Sequence, residues 1–199
     1  MAVIGLILGA PLLLVIAALV KLTSRGSVFY TQKRIGVDRR RRATEPGVTR
    51  RRLDDGGREF TIYKFRTMRE GNGDAEVWAE PDDPRVTPIG RILRKYRLDE
   101  VPQLFNVLRR DMNVVGPRPE QPSLFKKIRV HVRNYQARQQ VLPGITGWAQ
   151  VTQRYDSSIE DVKGKLALDM EYIGRRSAAE DFRIMVKTVP VVLFKRGAW

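Results

Sequence analysis

The sequence predicts an α+β domain, mostly helical with one short β-hairpin, behind an apolar N-terminal helix. Three observations predict it. Ser27–Arg34 (SVFYTQKR) and Arg58–Met68 (REFTIYKFRTM) are rich in aromatic and β-branched residues and read as two short paired strands. Helical patterns fill most of the chain after Thr87, punctuated by Pro and Gly turns. Ala2 to Val20 holds no charged residue and is mostly Leu, Ile, Val and Ala.

That first segment sets the compartment. A signal peptide would want a basic start and a small-residue cleavage site, and neither is visible. Its length allows a spanning helix of about 20 residues. Pro11, in mid-run, argues for a break, because it removes one helix hydrogen bond and clashes with the carbonyl of Ile7. The residues alone leave two readings level, a spanning helix or two half-helices that dip into one leaflet and return, with a buried core helix and a signal peptide behind them. Lys21, Arg25, Lys33 and Arg34 follow at once, which keeps the downstream domain cytoplasmic.

The strands come next, with a loop between them that carries seven arginines from Arg39 to Arg52. Residues 39–57 read as a flexible basic loop, since like charges repel and resist packing. The same loop is suited to anionic lipid headgroups, at roughly 1 kcal/mol per basic residue near the surface. Gly71 to Pro84 is turn-rich. Thr87 to Arg97 reads as a helix with Thr87 as N-cap and Pro88 at its first position. A second helix is expected from Asp99 through LFNVLRRDM, ended by Gly116-Pro117-Arg118-Pro119, a stiff loop that presents an arginine. Pro122 to Gln140 reads as a basic helix, Leu142 to Gln153 as a turn-bounded segment with Trp148, and Ile159 to Ile173 as a further helix. The tail from Phe182 is either core or an amphipathic helix at a membrane interface, with Trp199 as aromatic anchor.

Composition narrows the chemistry. The 199 residues suffice for one domain with a real core, or a small domain plus an appendage. A net charge of +15 implies an anionic partner without saying which. No cysteine is present, so disulfides, thiolate metal sites and Cys nucleophiles are excluded. The single histidine, His131, lies among polar and basic residues and reads as a surface group. Catalysis is left to carboxylates, Lys, Arg, Tyr or a hydroxyl.

One stretch stands out against that background. RLDEVPQLF sets Asp99 and Glu100 side by side within a basic segment. Asp99 has a plain reading as a helix N-cap, with Glu100 as a favourable first-turn acid. The alternative is phosphate chemistry. Arg91, Arg94, Lys95, Arg97 and Arg118 are near in sequence, and carboxylates amid such charge stay ionised. Adjacent acids can also divide labour, one attacking phosphorus while the other holds Mg²⁺, which takes oxygen ligands.

DPRVTPIGRILRKYRLDEVPQLFNVLRRDMNVVGPRPE resembles the signature of the bacterial sugar transferases that are monotopic phosphoglycosyl transferases. QKRIG, FTIYKFRTM, PGITGWAQV and LDMEYI match further blocks in the same order, so the resemblance covers about Lys21 to Arg196. It implies transfer of a phospho-sugar from a nucleoside diphosphate sugar, such as a UDP-sugar, to polyprenyl phosphate, with release of the nucleoside monophosphate. This is the first membrane step in assembling exopolysaccharide, capsule, O-antigen or glycoprotein glycans. By the same resemblance Asp99 is the nucleophile of a covalent phospho-sugar intermediate and Glu100 binds Mg²⁺. Arg94 and Arg118, with Lys64 and Arg66 of the KFRTM block, bind phosphates.

The resemblance also favours a re-entrant membrane hairpin over residues 1–22, broken at Pro11. Residues 23–199 then form a cytoplasmic catalytic domain of α+β fold, monotopic on the inner membrane. Three departures are visible: the chain begins MAVIG where the family usually has a basic, aromatic stretch, Ala10 stands where many members have Ser, and the arginine loop is longer than in minimal members. A shortened start is therefore one expectation. The anionic membrane surface and a second copy of the chain are candidate partners. Nucleic acid is not, because no helix-turn-helix or stacking platform stands out. The rival readings are a membrane-tethered basic protein binding nucleic acid or anionic lipid, and a transferase in which polyprenyl phosphate attacks directly.

Overall fold

The computed structural model describes residues 2–38, 57–69, 83–153 and 158–194, with side chains from residue 9. The basic loop at 39–57 therefore lies almost wholly outside the described residues, as do most of Gly71–Pro84 and the expected anchor Trp199. The described chain is mostly helical with a small antiparallel sheet, as the sequence predicts.

Helix α1 spans Ala2–Thr23. The expected reversal into two half-helices is not seen, and the helix continues through Pro11. A proline removes one hydrogen bond from a helix, which favours a kink without requiring the chain to turn back. The C-terminal half of α1 packs Ile16 and Val20 against Phe65 and Leu93. Its other side leaves Leu12, Leu14, Val15, Leu19 and Leu22 exposed. Among the described residues no helix is long and apolar enough to cross a membrane.

Strands β1 (Phe29–Ile35) and β2 (Glu59–Phe65) form the expected hairpin, in antiparallel register from Phe29↔Phe65 to Ile35↔Glu59. The rings of Phe29 and Phe65 stack at 5.5 Å across its open end. Phe60 and Ile62 bury with Met112, each such side chain stabilising by roughly 1.5–3 kcal/mol.

Helix α2 (Pro88–Lys95) starts as read: the Thr87 hydroxyl accepts from the Gly90 N–H, and Pro88 takes the first turn, where no N–H is needed. Gly90 is required by contact. A Cβ there would fall 2.1 Å from the Thr67 carbonyl oxygen, so α2 lies directly on the chain that leaves β2.

The helix expected from Asp99 is instead a 3-10 helix, Leu98–Gln103, followed by the short α3 (Leu104–Leu108). Asp99 does not cap it. The capping position is Arg97, in the left-handed conformation with φ of 52°, and Asp99 sits inside the first turn. Pro102 lacks an N–H and lies within that helix, where the tighter 3-10 winding suits a short run.

A parallel pair, β3 (Asn113–Val115) with β4 (Gly144–Thr146), was not visible in the sequence. The helix between them is shorter than read. α4 covers Pro122–His131, and Asn134 at φ of 61° starts a separate 3-10 helix, Tyr135–Gln140. Asn tolerates that left-handed conformation better than most residues. His131 is exposed, as expected.

Trp148–Thr152 forms α5, Ile159–Arg175 forms α6, and Ala178–Leu193 forms α7. Ser158 and Asp161 make a capping box for α6, and the Ser177 hydroxyl caps α7. α7 is partly core, one of the two expected readings of the tail. Ile184 is fully buried, while Phe182, Val186, Val189 and Leu193 form an exposed apolar stripe.

Candidate active site

β2, the 3-10 helix and the Gly116–Glu120 loop bring the two acids and their cations together. Asn106, fully buried on α3, fixes β2 beside the 3-10 helix. Its Oδ1 accepts from the Tyr63 N–H at 3.2 Å, and its Nδ2 donates to the Thr61 carbonyl at 2.7 Å. Lys64 follows Tyr63 on the strand, and its Nζ lies 2.8 Å from Glu100 Oε1. Arg118 reaches the same carboxylate from the opposite loop. Its Nη2 is 2.7 Å from Oε1 and its Nη1 3.3 Å from Oε2.

Both acids are buried, yet their electrostatics differ. Burial pushes the Asp99 carboxyl up; Lys64 pulls it down and Glu100 pushes it further up, and the net result is above the usual aspartate value. Burial would raise Glu100 too, but Arg118 and Lys64 outweigh it and hold the carboxyl well below its usual range. Burial also lowers Lys64, with Glu100 opposing, whereas the Glu100 charge raises Arg118. Glu100 is thus a firmly ionised anchor for cations. Asp99 carries a less stabilised negative charge, the condition of a more reactive oxygen nucleophile.

The remaining predicted residues divide. Arg94, in the last turn of α2, donates from Nε to the Thr67 hydroxyl at 2.9 Å and contributes to the field at Asp99. Arg66 turns elsewhere. Its Nη2 donates to the Ser24 carbonyl and hydroxyl at 2.8 and 2.9 Å, tying β2 to the end of α1. Its Nε and Nη1 are buried without a hydrogen-bond partner. Pro11 is on an exposed side of α1.

Two further arginines join the group. Arg97 adds to the charge that holds Glu100 down, and its own pKa is lowered by burial and by Arg118. Arg34 lies close enough for Arg118 to lower its pKa, after burial, and its Nη1 donates to the Pro119 carbonyl. Arg97 was readable as one of the nearby bases. Arg34 belongs to the QKRIG block, but nothing local in the sequence aims it at this loop.

Among the described residues no group of three or more acidic or histidine side chains could cage a metal. Two adjacent carboxylates nevertheless suit Mg²⁺, which commonly takes one or two carboxylates and completes its shell with substrate phosphates and water. A surplus of cations around two buried acids also suits a polyphosphate rather than a neutral substrate.

Comparison with known proteins identifies the family. Residues 1–195 match the family described as bacterial sugar transferase. The UDP-N-acetylgalactosamine-undecaprenyl-phosphate N-acetylgalactosaminephosphotransferase of Aeromonas hydrophila is 38% identical over 198 residues, covering 99% of this chain and 43% of that protein. The UDP-glucose:undecaprenyl-phosphate glucose-1-phosphate transferase of Xanthomonas campestris pv. campestris is 38% identical over 203 residues, 100% of this chain and 38% of that protein. The exopolysaccharide production protein ExoY of Rhizobium meliloti is 36% identical over 217 residues, 100% of this chain and 84% of that protein. The chain thus spans less than half of the first two relatives and most of the third. It belongs to the bacterial sugar transferase family.

Proposed function

We propose that this chain transfers a phospho-sugar from a UDP-sugar to undecaprenyl or a similar polyprenyl phosphate, through a covalent intermediate on Asp99. The observation that carries the reading is the pair of adjacent buried acids in opposite electrostatic states, ringed by Lys64, Arg94, Arg97 and Arg118. In the first step an Asp99 carboxylate oxygen attacks the phosphorus that bears the sugar. The bond from that phosphorus to the bridging oxygen breaks, and UMP leaves with the bridging oxygen. In the second step a polyprenyl phosphate oxygen attacks the same phosphorus and Asp99 departs as a carboxylate, leaving a polyprenyl diphosphate sugar. Two displacements let a soluble donor and a membrane acceptor use one site in turn.

Lys64 and Arg118 hold Glu100 in place and stand ready to share the charge of the incoming pyrophosphate. Glu100, with Asp99 beside it, is the group to hold Mg²⁺. The cation, when bound, screens the phosphate charge that otherwise repels an attacking carboxylate. The exposed apolar sides of α1 and α7 support attachment to the cytoplasmic face of a bacterial inner membrane. There α1 inserts as a re-entrant helix bent at Pro11, and the basic chain meets anionic headgroups.

The test is nucleotide release. Detergent-solubilised protein with Mg²⁺ and a panel of UDP-sugars is expected to release UMP without acceptor, to form polyprenyl diphosphate sugar when acceptor is added, and to stop in EDTA. UMP release that strictly requires acceptor would replace the covalent route by direct attack. For topology, a tag at Met1 is expected to react only from the cytoplasmic side.

A further inference from the structure

Gly116–Glu120 has no regular secondary structure, and two of its five residues are prolines without an N–H. It is nonetheless held at every carbonyl from Pro117 onward. The Pro117 carbonyl accepts from the Gly144 N–H at 3.0 Å and the Glu120 carbonyl from the Ile35 N–H at 2.9 Å. The Pro119 carbonyl accepts from Arg34 Nη1 at 3.1 Å, and the Arg118 carbonyl from Arg138 Nη2 at 2.9 Å. Arg118 therefore projects its guanidinium to Glu100 while its backbone is gripped by a second guanidinium.

Arg138 is itself immobilised. Its side chain is 4% exposed, and its Nη1 donates to the Tyr135 hydroxyl at 2.6 Å and to Glu120 Oε1 at 3.1 Å. Its Nη2 lies 2.8 Å from Asp169 Oδ2, close enough to pair, but not aligned as a hydrogen bond to that oxygen. The same Nη2 serves the Arg118 carbonyl. The Arg138 guanidinium also lies 5.1 Å from the centre of the Tyr135 ring. Lys165 Nζ completes the set at 2.9 Å from Glu120 Oε1.

A buried ionic network of this kind is a poor source of net stability, because desolvation offsets most of the attraction. What it supplies is a fixed direction. The flat fork of Arg138 addresses Glu120 with one nitrogen and the Arg118 carbonyl with the other, which the single ammonium of a lysine cannot reproduce. We infer that Arg138, clamped by Glu120 and Asp169, is a positioning residue that sets the reach of Arg118 to the substrate phosphates. The inference rests on the phosphotransfer reading above.

The test is a double-mutant cycle on UMP release by the full chain, read as kcat/KM for the UDP-sugar. Arg138→Lys is expected to lower kcat/KM about tenfold in the wild-type background and less than twofold in the Arg118→Ala background, since coupled residues are non-additive. Asp169→Asn, nearly isosteric, is expected to lower it about threefold, again only while Arg118 is present. A merely structural role, through a smaller folded fraction, would give the same factor in both backgrounds. Equal factors for both substitutions, with active wild type, would overturn the positioning role alone. Absence of UMP release from the wild type would instead overturn the reading of function, and this inference with it.

Discussion

Glu100 and Glu120 invite comparison, because each is a buried glutamate met by one lysine and one arginine. Their surroundings differ in exposure. Around Glu120 the ion pairs join Glu120 and Asp169 to Arg138 and Lys165, and all four side chains are at most 13% exposed. Around Glu100 the pairs are with Lys64 and Arg118, which are 17% and 29% exposed. A sealed cluster can only hold shape, whereas a cluster with an open edge can share its cations with an incoming anion. Burial and ion pairing alone do not mark a functional site; access does.

The comparison breaks most visibly at Asp99. Asp99→Asn is expected to lower phospho-sugar transfer by roughly 10⁴-fold or more, as loss of a nucleophile does. Full activity in that variant, measured as UMP release, would remove the nucleophile from the picture. Glu120→Gln should act on the other quantity. It removes the carboxylate charge that Arg138 and Lys165 share and leaves two buried cations facing Asp169 alone, and a loss of about 3–5 kcal/mol is expected in urea unfolding. Glu100→Gln should cost less, because Lys64 and Arg118 retain access to water. Equal losses would mean that the two clusters are not different in kind.

Acid sharpens the contrast further. The folded-state pKa of Glu120 is depressed below the usual 4.5, so its contribution is complete above that value and lost as pH falls through the folded one. The Asp99 pKa is raised above 3.8, so activity that needs its carboxylate should fail at a higher pH than the fold does. A pH–rate profile beside a pH-dependent melt separates the two. The smallest effect is thermal. A raised folded-state pKa means that ionised Asp99 destabilises the fold above that pKa, so Asp99→Asn should raise the melting temperature by a few degrees at neutral pH. A lower melting temperature would show that Asp99 is structural as well.

Local signals made part of this legible in advance. Thr87-Pro88 announced α2, aromatic and β-branched runs announced the hairpin, and Asp99-Glu100 stood out by charge alone. What stayed hidden depended on distance or on unusual backbone. Nothing near Arg138 in the sequence points to Glu120, Asp169 or the Arg118 carbonyl. β3 and β4 are three residues each, too short to carry a periodic pattern. Arginine rarely adopts a left-handed conformation, so the turn at Arg97 that replaced the expected N-cap had no signal. Arg66 matched a family block, and only its contacts with Ser24 distinguish it from Lys64, two positions away.

Gly90 carries a consequence for anyone wishing to redesign the candidate site. With a Cβ excluded by the Thr67 backbone, no larger residue fits at position 90 unless α2 moves off the segment that follows the strand bearing Lys64. Arg94, which hydrogen-bonds Thr67, is held at the same seam. Variation aimed at the proposed substrate is better placed on the side chains that border Asp99 and Glu100 than on this seam.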